Sequence, residues 1–97
     1  MAAVIVTPTA LRNLERLIET HSLPADTRER FRRSLQSLME FPLLGASLHG
    51  RWTPFRFVLG PWRWMIVVYA YEPDRDRVLI VTIQDARSAR AATSSQS

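Results

Sequence analysis

The chain has 97 residues, with thirteen arginines, no lysine, nine carboxylates and a net charge of +4. A chain of this length is one domain with one modest core, and its 46% hydrophobic against 23% charged residues make it globular rather than disordered. The absence of cysteine excludes a disulfide scaffold, a thiolate metal site and a cysteine nucleophile, while a pI near 11.0 points to a polyanion or an acidic protein as partner.

Val4-Ile5-Val6 is β-branched and predicts a short edge strand. Thr7 and Pro8 then form a helix start, with Thr7 as N-cap and Pro8 in the first helical position. Leu11, Leu14, Leu17 and Ile18 recur at helical spacing, opposite Arg12, Glu15, Arg16 and Glu19, to an end near Thr20 or His21. Leu23-Pro24 interrupts the pattern. A second helix runs from Pro24 or Asp26 to Glu40 on the stripe Phe31, Leu35, Leu38 and Met39, and Pro42 ends it. Arg28, Arg30, Arg32 and Arg33 read as its solvated face. The two helices make an antiparallel hairpin.

From Pro42 to Pro54 the two glycines and two prolines predict mostly loop. Phe55 to Leu59, Trp62 to Tyr71 and Arg77 to Gln84 predict three strands, joined at Gly60-Pro61 and at Glu72 to Asp76 into an antiparallel meander. The continuous apolar run Met65 to Ala70 suggests a central strand covered on both faces. Residues 91–97 are small and polar and are expected to form a disordered tail after a single domain over 1–90. The expected fold is α+β in the order β-α-α-β-β-β, a twisted antiparallel sheet with the helical hairpin on one face. The longest apolar run falls far short of the ~20 residues a membrane helix needs, and Met1 to Val6 is too short for a signal peptide. A soluble, cytoplasmic protein is expected.

Three local signatures carry a resemblance. They are Pro42-Leu43-Leu44-Gly45 followed by Leu48-His49-Gly50, then Phe55-Arg56-Phe57-Val58-Leu59-Gly60-Pro61-Trp62-Arg63-Trp64 running into Met65 to Tyr69, and Val78 to Ile83 followed by Gln84-Asp85-Ala86-Arg87. In this order, across residues 4 to 90, the chain resembles the RelE/ParE superfamily of toxins from type II toxin–antitoxin systems. The resemblance implies a growth-inhibiting toxin that cleaves mRNA on the ribosome, without metal or cofactor, through an arginine-lined sheet face. It also implies a cognate antitoxin with an acidic, amphipathic segment. The superfamily includes DNA gyrase poisons, which is the first alternative. A non-toxic member that only binds a partner is the second.

Arg63, placed on the long strand with Met65, Val67, Tyr69 and Tyr71, could present its fork to phosphate. Arg87 stands where nuclease members of the superfamily carry a phosphate-stabilising arginine, and Arg56 where they carry a basic residue that could neutralise developing charge. These three are the catalytic candidates. Arg51 and Arg90 are outer members of the same basic patch. Trp62 and His49 could contact RNA or a partner. Asp85 is expected to be a depressed-pKa carboxylate that orients Arg63 or Arg87. His21 is assigned a helix-dipole role, and Trp64 a place in the core. The histidines lie too far apart in sequence to suggest a metal site. No tyrosine or histidine follows Arg87, so the residue that moves the proton in nuclease members has no counterpart there.

Overall fold

A computed structural model describes residues 1–88 and Ala91. Five strands and three helices follow in the order β1 (Ala3–Val6), α1 (Pro8–His21), α2 (Thr27–Ser34), α3 (Gln36–Glu40), β2 (Ala46–Ser47), β3 (Arg56–Leu59), β4 (Met65–Glu72) and β5 (Arg77–Asp85). One sheet joins all strands in the order β1-β5-β4-β3-β2. The expected meander is β3-β4-β5, antiparallel throughout. β1 adds to it parallel to β5, so the sheet is mixed. The two-residue β2 extends it inside the segment expected to be loop.

The start of α1 forms as its sequence dictates. The Thr7 hydroxyl accepts from the Ala10 amide at 3.3 Å and donates to the Ile80 carbonyl at 2.8 Å, so the same side chain caps the helix and ties it to β5. Ala10 and Leu14 are buried, with Leu17 and Ile18 partly buried beside them, whereas Leu11 is 49% exposed. Leu11 lies on the edge of the stripe, where it borders a groove with Arg12, Arg16 and Arg28. Ser22 closes the helix in the left-handed region, and the Leu23 amide donates to the Ile18 carbonyl at 3.0 Å. The expected second helix is split at Leu35, where the Leu38 amide donates to the Leu35 carbonyl three residues back. Its buried stripe survives the break as Phe31, Leu35 and Leu38.

β4 is buried on both faces from Met65 to Tyr69. Met65, Val67 and Tyr69 join the helices in the main core with Leu14, Phe31, Leu38, Val78 and Ile80. Ile66 and Val68 face the other way, into a second core with Leu48, Trp52, Phe55, Phe57, Val81 and Ala91. The loop from Leu48 to Phe55 and Ala91 therefore cover the sheet face that the helices leave open. Ala91 belonged to the expected tail; residues 92–97 lie outside the described residues, as does Arg90.

One irregularity positions the site. Val68 pairs with Thr82 and Tyr69 with Ile80, so Val81 is an extra residue, a β-bulge in β5. The bulge switches the inward positions from Val78 and Ile80 to Ile83, and sets Asp85 directly across from Met65 on the helix-side face. Beyond the end of β1, the Asn13 side chain of α1 accepts from the Ile83 amide at 3.1 Å and takes over where the parallel partner stops.

Candidate functional site at the end of the sheet

β4 begins at Met65, not at Trp62, because residues 61–64 form a turn whose Trp62 carbonyl accepts from the Met65 amide at 2.9 Å. The turn is fastened to the end of β5 by the Ala86 amide, which donates to the Trp64 carbonyl at 2.7 Å. The last turn of α1 reaches the same place. His21 Nε2 lies 3.3 Å from Asp85 Oδ2, and its ring centroid is 4.5 Å from that of Trp64.

Asp85 is the hub. Arg87 donates to it three times at 2.9 Å, from its backbone amide and Nε to Oδ1 and from Nη2 to Oδ2. These hydrogen bonds hold the Asp85 carboxyl below its ordinary 3.8 against the opposing effect of burial, with His21 a minor contributor. Asp85 is therefore an ionised anchor rather than a proton acceptor near neutrality. The Arg87 guanidinium stands 5.0 Å over the Trp64 ring and keeps 60% of its side chain exposed. Trp62 stacks on Trp64 with centroids 6.4 Å apart, and Arg30 of α2 lies 5.8 Å over Trp62 while pairing with Asp26 at 3.0 Å. Arg63, between the two tryptophans, is exposed and forms no ion pair among the described residues.

The structure thus brings Trp62, Arg63, Asp85 and Arg87 to one end of the sheet. It does not gather Arg56, Arg63 and Arg87 on one face. Arg63 sits in the turn rather than sharing a strand face with Val67 and Tyr69. Arg56 pairs across the strands with Tyr69, so it faces the helix side, under the linker. There its Nη1 donates to the Gly45 carbonyl at 2.8 Å, while the Gly45 amide donates to the Tyr69 hydroxyl at 2.8 Å. Burial pushes the Tyr69 phenol up, opposed by the Gly45 amide and Arg56. Arg51 and His49 occupy a third place, the loop over the second core, where both are exposed and Arg51 lies 5.7 Å over Trp52. The face opposite the helices carries the second apolar core, with Leu48, Trp52 and Phe55 packed over Ile66 and Val68. Arg28, Arg30, Arg32 and Arg33 are exposed and paired with Glu15, Asp26 and Glu29. No group of three or more histidine, aspartate or glutamate side chains among the described residues is placed to hold a metal.

Sequence reasoning missed His21 and Arg30 as members of the site; Trp64 packs against the main core as expected and also faces the site. Their separation along the chain carries no signal; only the crossing of α1 over β5 and the bulge bring them together.

The isolated Escherichia coli RelE toxin superposes on 93% of this chain and 89% of its own, with a TM-score of 0.64 and 18% identity. The fold is that of the RelE/ParE toxins. A copper-bound variant toxin from Helicobacter pylori superposes on 88% of this chain and 94% of its own, at TM-score 0.66 and 16% identity. A Mycobacterium tuberculosis RelBE2 toxin–antitoxin complex matches 87% of this chain and 90% of its own, at TM-score 0.52 and 22% identity. No protein-family model and no curated protein matches the sequence. In this RelE-like fold, the cluster around Asp85 lies at the end of β5.

Proposed function

We propose that this chain is the toxin of a type II toxin–antitoxin system and arrests growth by cutting mRNA on the translating ribosome. The observation that carries the reading is the pairing of a RelE-like fold with a sheet end where Arg87 and Arg63 stand exposed beside Trp62 and Trp64. Guanidinium forks suit the phosphates of RNA, and the half-buried indoles hold Arg87 in place beside them. Arg87 is pre-oriented by Asp85, so little side-chain freedom is lost when phosphate binds.

A cognate antitoxin with an acidic, amphipathic segment would neutralise it. The open groove lined by Leu11 and Ile18 between Arg12, Arg16 and Arg28, with Glu15 and Glu19, supports docking of a partner helix. Expression of the chain alone should stop growth, leave cut ends on translated mRNA in primer extension, and lose both effects in Arg87→Ala. Intact mRNA in arrested cells would reject the cleavage reading. The second reading, a gyrase poison, is favoured by one observation: Arg56 donates to the Gly45 carbonyl of the linker, which leaves less of its guanidinium for phosphate. It predicts trapped gyrase–DNA breaks and loss of supercoiling with the purified protein.

A further inference from the structure

Arginine can clamp phosphate but cannot move a proton, because a guanidinium stays charged in proteins. Metal-free RNA cleavage needs a group to take the 2′-hydroxyl proton. The sequence from Ser88 to Ser97 contains no tyrosine or histidine to do this. Of the two histidines, His49 sits on the loop over the second core, and His21 sits beside Arg87.

His21 projects from the last turn of α1 with 26% of its side chain exposed. Its Nε2 faces the Asp85 carboxylate at 3.3 Å, which favours the tautomer with the proton on Nε2 and a lone pair on Nδ1. The Trp64 ring supports the imidazole, and among the described residues the charged group it meets is Asp85, itself bound to Arg87. Asp85 thus touches both a phosphate-binding arginine and an imidazole, and fixes the two relative to each other.

We propose that His21 is the proton-transfer group of this site, with Asp85 as its positioning residue and an RNA phosphodiester as the substrate. The inference rests on the mRNA-cleavage reading. With the phosphate against Arg87, the 2′ oxygen bonds to phosphorus as Nδ1 of His21 takes its proton. The bond from phosphorus to the 5′ oxygen breaks, and that oxygen takes a proton from water. His21 then returns its proton to the hydroxide. The products are a 2′,3′-cyclic phosphate and a 5′-hydroxyl end.

The test uses the full chain in an in vitro translation reaction with a defined mRNA, read by primer extension. It compares wild type, His21→Ala and His21→Gln, with circular dichroism and thermal melts as the check on folding. Both variants are expected to bind a single-stranded RNA as the wild type does and to cut more slowly by roughly 100-fold or more. Added imidazole is expected to restore part of the His21→Ala rate and none of the Arg87→Ala rate. Glutamine keeps a donor for Asp85 but cannot cycle a proton, so His21→Gln decides the matter if the alanine variant does not fold. Wild-type cutting by a folded variant, or a His21→Ala loss that imidazole leaves untouched, would overturn the role of His21 alone. A wild-type protein that cuts no mRNA would overturn the cleavage reading and this inference together, a result visible before any variant is made.

Discussion

Arg56 and Arg87 are the same side chain put to opposite uses. Arg56 donates from Nη1 to the Gly45 carbonyl, half-buried under the linker. Arg87 is braced by a carboxylate and an indole but keeps an exposed edge. Arg56→Ala should therefore cost about 1 kcal/mol of stability and leave RNA affinity unchanged. Arg87→Ala should fold normally, bind single-stranded RNA more weakly, and make log K less steep in log salt by about 0.7, the share of one phosphate that is no longer neutralised. Fluorescence anisotropy across a salt series checks both. Asp85 adds a pH signature. Its folded pKa lies below the unfolded value, so its contribution is full above about pH 4 and is lost as the pH falls through the folded pKa. Thermal melts at decreasing pH should show a shallower acid-side loss in Asp85→Asn than in wild type. The role of Asp85 as an arginine anchor was legible from its place beside Arg87. That of His21 was not, because a histidine closing a helix carries a sufficient local explanation in the helix dipole.

At the scale of elements, two local devices decide where the site lies. The linker glycine is one. A Cβ on Gly45 would clash with the Phe57 carbonyl oxygen and come within 2.8 Å of the Tyr69 hydroxyl. The close approach lets the buried Tyr69 hydroxyl take the Gly45 amide. Tyr69→Phe should strand that amide and cost about 1–3 kcal/mol, seen as a melting temperature lower by about 4–8 °C per kcal/mol. Gly45→Ala should cost more, since backbone must shift. The bulge at Val81 is the other device, and its absence would turn Asp85 away from His21. The helices, the edge strand and the meander were legible because their periods differ: Leu14, Leu17 and Ile18 against Val4-Ile5-Val6 and Val78 to Ile83. The bulge was not, since Val78-Leu79-Ile80-Val81 is apolar at every position and hides a change of phase. The start of β4 was misplaced for a related reason. Trp62 and Trp64 have strand-like side chains, but they sit in a turn closed by the Met65 amide.

At the scale of the molecule, the helices cover one face of the sheet, and the loop from Leu48 to Phe55 covers much of the other. That face carries an apolar second core rather than a row of arginines among the described residues. Among the described residues the exposed arginines fall into separate districts: an ion-paired set on α2, Arg12 and Arg16 along α1, Arg51 on the loop, Arg75 in the turn between β4 and β5, and Arg63 with Arg87 at the sheet end. The last sets two exposed arginines beside a pair of stacked indoles, and so the proposed RNA contact is an end of the sheet, not a face. The groove along α1 lies apart from it, which would let an antitoxin helix dock without filling the site, with the acidic remainder of the partner reaching the sheet end. The most direct measurement is primer extension on a translated mRNA after induced expression of the chain alone. New cut ends that appear with wild type and vanish with Arg87→Ala are the predicted result. Growth arrest with uncut mRNA, or cutting undiminished by Arg87→Ala, would contradict it.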